Sequence, residues 1–155
     1  MRKEFSAKHI EEILGASRQR LHQMRLMGII SPSVNKARGQ GERNKFSFDD
    51  LVDIAVILKL LKFGVDYFAL QSYMHVYRRR LAKKSGLEGN SGRRPALIGL
   101  QFFESGIIQT IFNVEDLDTE KGQVIIKREL EKNEDLIIIS PKKIEENLRE
   151  KIKNM

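Results

Sequence analysis

The sequence predicts an α+β protein with an N-terminal domain, residues 1–84, and a small α+β domain, residues 96–155. Apolar residues recur with helical spacing in the first region, whereas strand-like runs appear in the second. Residues 85–95 are rich in glycine and serine and end in proline, which is typical of a flexible linker. The charge divides in the same way. Residues 1–84 hold 17 Lys and Arg against 8 Asp and Glu, and residues 85–155 hold 11 against 13.

This charge asymmetry favours a polyanion as the partner of the basic half, and the alternative is a solvated basic face with no ligand. Apolar residues make up 41% of the chain, enough for a packed core. Cysteine is absent, which excludes disulfides and fits a reducing cytoplasm. The three histidines show no metal-ligand spacing, and we find no phosphate-binding glycine loop or catalytic constellation. We therefore expect a cytoplasmic protein that is not an enzyme and holds no metal or cofactor.

No apolar run resembles a signal peptide or is long enough to cross a bilayer, so we expect no membrane partner.

The first two helices lie on either side of a short turn. Ser6 can cap a helix from about Ala7 to Leu14, and Gly15-Ala16-Ser17 follows as the turn. Ser17 can cap a second helix that runs to about Met27, and Gly28 ends it. Two helices joined by a turn that contains glycine form a helix-turn-helix.

The second helix has one apolar and one cationic face. Leu21 and Met24 are one helical step apart and can pack on the first helix. The complementary face and its flanks combine cations and amides without any acid. These residues are Arg18, Gln19, Arg20, His22, Gln23 and Arg25.

Residues 31–48 predict a β-hairpin that starts at Pro32 and has a flexible tip at Gly39-Gln40-Gly41. Glu42 is its only acid. Its cations are Lys36, Arg38, Arg43 and Lys45.

Two further helices follow the hairpin. Ser47 and Asp50 form a variant capping box ahead of a third helix with so much apolar surface that we expect it at the centre of the fold. Leu51, Leu58 and Leu61 keep its helical spacing. Phe63-Gly64-Val65 ends this helix. Asp66 can then cap a fourth one, which carries an apolar stripe as far as Leu81.

The C-terminal region predicts a hairpin from residues 96–103 and 106–114 and a strand at Leu136–Ile139. Residues 123–127 are strand-like, although the stretch to residue 133 also suits a helix. Ser140 and Pro141 begin a last helix that runs to about Lys153. We expect this region to serve dimerisation, with effector sensing and partner binding as alternatives.

Several blocks in the N-terminal domain resemble the winged helix-turn-helix DNA-binding domain of the MerR family of transcriptional regulators, over about residues 4–81. Gly15-Ala16-Ser17 matches the family's Gly-Val-Ser turn, and Gly28-Ile29-Ile30-Ser31-Pro32 matches its Gly-Leu-Leu-Ser-Pro. Lys45-Phe46-Ser47-Phe48-Asp49-Asp50-Leu51 matches the segment that leaves the wing, and Phe63-Gly64-Val65-Asp66 matches the break between the last two helices. The resemblance implies four helices with a hairpin wing.

Two features depart from the family. Leu21-His22-Gln23-Met24-Arg25 stands where the family has Ile-Arg-Tyr-Tyr-Glu, so base preference does not transfer. The linker at residues 85–95 stands where the family's long dimerisation helix begins. Pairing then has to come from the fourth helix or the C-terminal region, or the protein binds as a monomer.

The resemblance implies a bacterial-type protein in the cytoplasm, associated with the nucleoid. We expect a homodimer on double-stranded DNA, with the transcription machinery as a further partner. Helices enter the major groove with their N-terminal residues nearest the bases, so Arg18, Gln19 and His22 are expected at base edges. Gln19 or Gln23 can pair with adenine. Arg20 and Arg25 suit phosphates, and the wing cations suit the flanking backbone. Ser17, at the start of the second helix, is also expected at the DNA.

Two rival functions remain open. One is an architectural accessory protein of the excisionase or plasmid-maintenance type, which binds as a monomer to repeated sites. The other is a protein-interaction module in which the helix-turn-helix is vestigial. RNA binding is less favoured because exposed aromatic platforms for unstacked bases are not evident. The cations at residues 78–80 and 83–84 are explained by the fourth helix's dipole or by a second nucleic-acid contact.

Overall fold

The computed structural model describes residues 4–37, 43–75, 97–102, 108–114 and 136–155, and it shows an α+β protein. The chain divides into two compact units. The N-terminal unit consists of Met1–Ser72 together with Ile144–Met155, and the second unit consists of Tyr73–Lys143. The helices are α1 (Ala7–Leu14), α2 (Arg18–Leu26), α3 (Phe48–Lys62), α4 over residues 67–75, and α5 (Pro141–Lys153). The strands are β1 (Leu97–Phe102), β2 (Ile108–Val114) and β3 (Leu136–Ile139).

The first two helices start and stop at residues that satisfy their terminal backbone groups. Ser6 Oγ accepts from the His9 amide at 3.3 Å, and His9 Nδ1 accepts from the Ser6 amide at 3.1 Å. Gly15 ends α1 with φ of 71°, in the left-handed region where glycine has no steric penalty. The predicted bounds of α1 are confirmed, and α2 ends one residue before its predicted end.

The segment between α2 and α3 packs buried side chains into the core at both of its ends. Gly28 has φ of 69°, and Ile29 and Ile30 behind it are buried. Asn35 forms an isolated antiparallel bridge with Lys45, and the described part of residues 31–48 contains no strand, so the predicted hairpin stays a prediction. Phe46 bridges to Phe5 ahead of α1, and both rings are buried, a pairing that the local pattern did not predict. The predicted tip lies outside the described residues.

The predicted capping box of α3 is confirmed. Ser47 Oγ accepts from the Asp50 amide at 3.1 Å, and Asp50 Oδ2 accepts from the Ser47 amide at 2.9 Å. The helix is the centre of the unit, as expected, although Leu58 and Leu61 are only half-buried. Its buried side chains are Leu51, Val52, Ile54, Val56, Ile57 and Leu60.

The α4 helix begins behind its predicted cap. Asp66 Oδ1 accepts from the Ala69 amide at 2.8 Å. Leu70 and Met74 of α4 are buried, which confirms its predicted apolar side over the described part. The stretch that holds the arginines and lysines of residues 78–84 lies outside the described residues, as does the predicted linker.

The strands of the second unit form an antiparallel sheet in the order β2-β1-β3. The pairing of β1 with β2 confirms the predicted hairpin strands, and the predicted β3 is also present. Ile98 and Leu100 of β1 and Ile139 of β3 are buried, whereas Ile138 is exposed, which is the period-2 alternation of a strand with one covered face. The strand-like residues 123–127 lie outside the described part of the chain.

The C-terminal helix confirms its predicted bounds but has a different position from the one predicted. Residues 144–155 belong to the same compact unit as residues 1–72, whereas the sequence assigned them to the second domain. Lys151 Nζ donates to the carbonyl oxygen of Ile13 at 2.6 Å, and the Arg149 guanidinium lies 4.4 Å from the centre of the Phe48 ring. An amphipathic pattern gives the apolar face of a helix but not the surface that this face covers.

Candidate nucleic-acid interface

The α2 helix is anchored on its apolar side. Leu21 and Met24 are buried, and the Ile29 amide donates to the Met24 carbonyl at 2.9 Å just past the helix end. Gln71 Nε2 of α4 donates to the Met27 carbonyl at 2.8 Å. These contacts fix which face of α2 points outward.

The outward face of α2 is cationic and amide-rich. The helix contains no acidic residue, and six of the predicted site residues on and before it are exposed, while Arg25 is half-buried. The six are Ser17, Arg18, Gln19, Arg20, His22 and Gln23. Side chains that carry donors and lie in solvent can reach a ligand without any rearrangement of the core.

Ser17 has a structural role in this arrangement. Its Oγ accepts from the Arg20 amide at 3.2 Å, which satisfies one of the unpaired amides at the start of α2. The cap defines where α2 begins and therefore where Arg18 and Gln19 lie in its first turn.

Arg18 is held by an acid of the preceding helix. Its Nε donates to Glu11 Oε2 at 2.9 Å, and both side chains are exposed. Arginine carries five N–H donors, so one bond through Nε leaves the four donors of the two Nη groups. The pair therefore orients the planar end of Arg18 and also reduces the local positive charge.

His22 and Arg25 also meet on α2. Arg25 Nη2 lies 3.3 Å from His22 Nδ1. Arginine has no acceptor, so this hydrogen bond needs the neutral imidazole tautomer that carries its proton on Nε2. In that tautomer Nε2 carries the proton and can act as a donor.

The loop between α2 and α3 carries the remaining predicted cations. Lys36, Arg43 and Lys45 are exposed, and Arg38 lies outside the described residues. Lys45 Nζ is 2.7 Å from Glu4 Oε2, so this lysine is paired with an acid ahead of α1. Among the described residues, Lys45 is the one of these three cations that is paired with an acid.

The base of the loop is held by Asp50. Its Oδ2 accepts from the Ser33 amide at 2.9 Å and from the Ser33 hydroxyl at 2.7 Å, in addition to its bond within the capping box. The predicted role of Asp50 covered only the start of α3. One carboxylate oxygen thus connects the start of α3 with the start of the loop.

Sequence reasoning missed the two acids that pair with predicted site cations. Glu11 lies in α1 and Glu4 lies ahead of it, seven residues from Arg18 and forty-one from Lys45. Seven residues are two turns of a continuous helix, but the turn at residues 15–17 separates Glu11 from Arg18, so helical spacing does not relate them. No local period relates Glu4 to Lys45. The packing of α1 against α2 brings Glu11 to Arg18, and the bridge between Phe5 and Phe46 brings Glu4 close to Lys45.

Within the described ranges, no group of three or more His, Asp or Glu side chains is arranged to hold a metal ion. The described helices include none with the length and apolar character needed to span a membrane. No protein-family model matches the chain, and no curated protein matches it.

Proposed function

We propose that this protein binds double-stranded DNA in a sequence-dependent way, through a winged helix-turn-helix formed by α1, α2 and the loop before α3. The observation that carries the proposal is the outward face of α2. It is N-capped, contains no acid and presents guanidinium, imidazole and amide donors from an anchored helix. Duplex DNA offers the complementary surface, with phosphates on the groove edges and acceptors on the bases.

The docking that we propose puts the N-terminal end of α2 into the major groove. Arg18 and Gln19 lie in its first turn, where groove-binding helices approach the bases. The Nη groups of Arg18 suit the two acceptors of guanine, and the amide of Gln19 or Gln23 suits adenine. The Nε2–H group of His22 supplies a single donor to a base or a phosphate.

The remaining cations would position the protein on the backbone. Arg20 and Arg25 would contact phosphates beside the groove, and Lys36, Arg43 and Lys45 those reached by the loop. We propose the same phosphate contact for Arg38, which lies outside the described residues, on the basis of the sequence alone. Such contacts raise affinity for all sequences and carry no base information.

The regulatory class is proposed from the resemblance to MerR-like proteins in the order of elements and in the turn blocks. A homodimer, contact with the transcription machinery and association with the nucleoid belong to this proposal. Leu148 of α5 is buried, and Arg149 and Lys151 contact Phe48 of α3 and Ile13 of α1. We therefore assign pairing to surfaces other than the apolar face of α5.

A binding selection from random duplex DNA with the full chain tests the proposal, at about 150 mM salt so that non-specific binding is screened. An enriched inverted repeat supports a dimeric regulator and gives the half-site spacing. Enrichment of a single site or of direct repeats supports sequence-dependent DNA binding but favours an architectural accessory protein over a dimeric regulator. No enrichment contradicts sequence-dependent binding and favours the protein-interaction alternative.

Salt dependence provides a second readout on the selected duplex. If about six cations each neutralise a phosphate, log K against log salt should have a slope of about −5. A slope of about −1 would contradict the proposed backbone contacts.

A further inference from the structure

A groove of about 740 Å³ lies between α1 and α5 in the N-terminal unit. Small-molecule sites have volumes of roughly 300–1,000 Å³, so the groove has the capacity of such a site. The described residues that line it include none of those predicted to contact DNA. Prominent among them are Phe5, His9, Ile13, Arg149, Ile152 and Lys153.

The inner part of the groove is apolar. Phe5 and Ile13 are 1% and 4% exposed, and Ile152 of α5 is half-buried. Phe5 is fixed by its bridge to Phe46, and the carbonyl of Ile13 is bonded by Lys151. An apolar ring or chain placed here would leave water and pack on side chains that are already held in place.

The α5 side of the groove adds two cations. Arg149 and Lys153 are four residues apart on one helix and so lie on the same face. Arg149 is oriented by Glu145, 2.6 Å from its Nη2, and by the Phe48 ring. Glu12 is the one acid among the described lining residues, and its Oε1 lies 3.9 Å from Lys8 Nζ. With the ion-pair partners included, the charges at the groove are Lys8, Arg149 and Lys153 against Glu12 and Glu145. The excess of one positive charge, that of Lys153, favours a negatively charged ligand.

We propose that this groove binds a small organic acid, with its apolar body on Phe5, Ile13 and Ile152 and its carboxylate at Arg149 and Lys153. A carboxylate matches both the fork of an arginine and the point charge of a lysine. The bound acid would join α1 to α5 and stabilise their packing. This inference does not depend on the proposed DNA binding, although α1 also carries Glu11, the partner of Arg18.

Naphthoate and naphthalenemethanol test the proposal, because they share the ring system and differ in charge. Each is titrated into the full chain while backbone amide shifts are followed by NMR. Naphthoate should give saturable shifts at Ile13 and Ile152 and bind about tenfold more tightly than the alcohol. Equal affinities, or shifts confined to other residues, would overturn the proposal.

Charge reversal at the exposed Lys153 supplies the matched variant. Lys153→Glu should weaken naphthoate about fivefold and leave naphthalenemethanol unchanged, since only the carboxylate meets this position. Lys142→Glu, an exposed lysine in the first turn of the same helix, should change neither affinity. If both variants lost the same affinity for naphthoate, the effect would come from net charge alone, and the proposed site would be wrong. Shifts at Ile13 and Ile152 that depend on protein concentration without ligand would identify a second copy as the occupant instead.

Discussion

The guanidinium of Arg18 is held 2.9 Å from the carboxylate of Glu11, through its Nε, across the turn that joins α1 to α2. The pair has two opposing effects on a DNA-binding surface. It holds the guanidinium of Arg18 through Nε and leaves the Nη groups outside this bond, and it offsets a positive charge that would otherwise attract any phosphate. An exposed pair of this kind adds little to stability, typically under about 1 kcal/mol, so its consequences should appear in binding.

Glu11→Gln should therefore increase affinity for random duplex DNA more than affinity for the selected site. We expect about a threefold to tenfold gain on random DNA and a salt slope steeper by about one unit, as Arg18 becomes available to phosphates. Fluorescence anisotropy on the two duplexes measures both quantities. Glu12→Gln makes the same charge change in α1 at an acid whose described ion pair is with Lys8. Equal effects of the two substitutions would contradict a specific role for the Glu11–Arg18 pair.

Arg20 and Gln19 are neighbours on α2 with different expected roles. Arg20→Ala should weaken binding to every duplex by a similar factor, about fivefold to tenfold, and reduce the magnitude of the salt slope by about 0.9. Gln19→Ala should keep the slope and change the preference at one base position. A repeat of the selection with each variant distinguishes the two outcomes. A changed base preference in the Arg20 variant would reverse these assignments.

The elements of the N-terminal unit were predictable because their signals are local. Ser6, Ser17 and Asp66 each cap a helix a few residues away, and the apolar period marked the helices between them. The partner of Arg18 was not predictable, because it depends on how two helices cross. The position of α5 was missed for a related reason, since its apolar stripe fits any complementary apolar surface.

Ser17→Ala should destabilise α2 by removing the acceptor for the Arg20 amide. A lost N-cap costs about 1 kcal/mol, and the first turn should lose hydrogen-exchange protection before the rest of the helix. Urea unfolding and amide exchange by NMR measure the two effects. Ser72→Ala, at an exposed helical serine in α4, is the matched control and should be neutral or slightly stabilising. Unchanged protection at Arg20 would show that another group serves as the cap.

Asp50→Ala should destabilise the N-terminal unit more than an ordinary surface substitution. Asp50 Oδ2 accepts from the amides of Ser47 and Ser33 and from the Ser33 hydroxyl, and charged hydrogen bonds of this kind contribute about 2 kcal/mol together. Urea unfolding measures the loss. Ser33→Ala, which removes only the hydroxyl donor, should cost less than half as much. Equal losses in the two variants would place the whole effect in the hydroxyl and contradict the role of the two amides.

Lys151→Met should loosen α5 from α1 while retaining most of the aliphatic part of the side chain. Lys151 Nζ donates to the Ile13 carbonyl at 2.6 Å, near the α1 end where carbonyls lack helical partners. Its loss should cost about 1 kcal/mol and raise amide exchange in residues 144–155. Lys153→Met, at an exposed lysine half a turn away, is the control and should change the stability by under about 0.5 kcal/mol. Equal exchange in both variants would show that the packing of α5 does not depend on this bond.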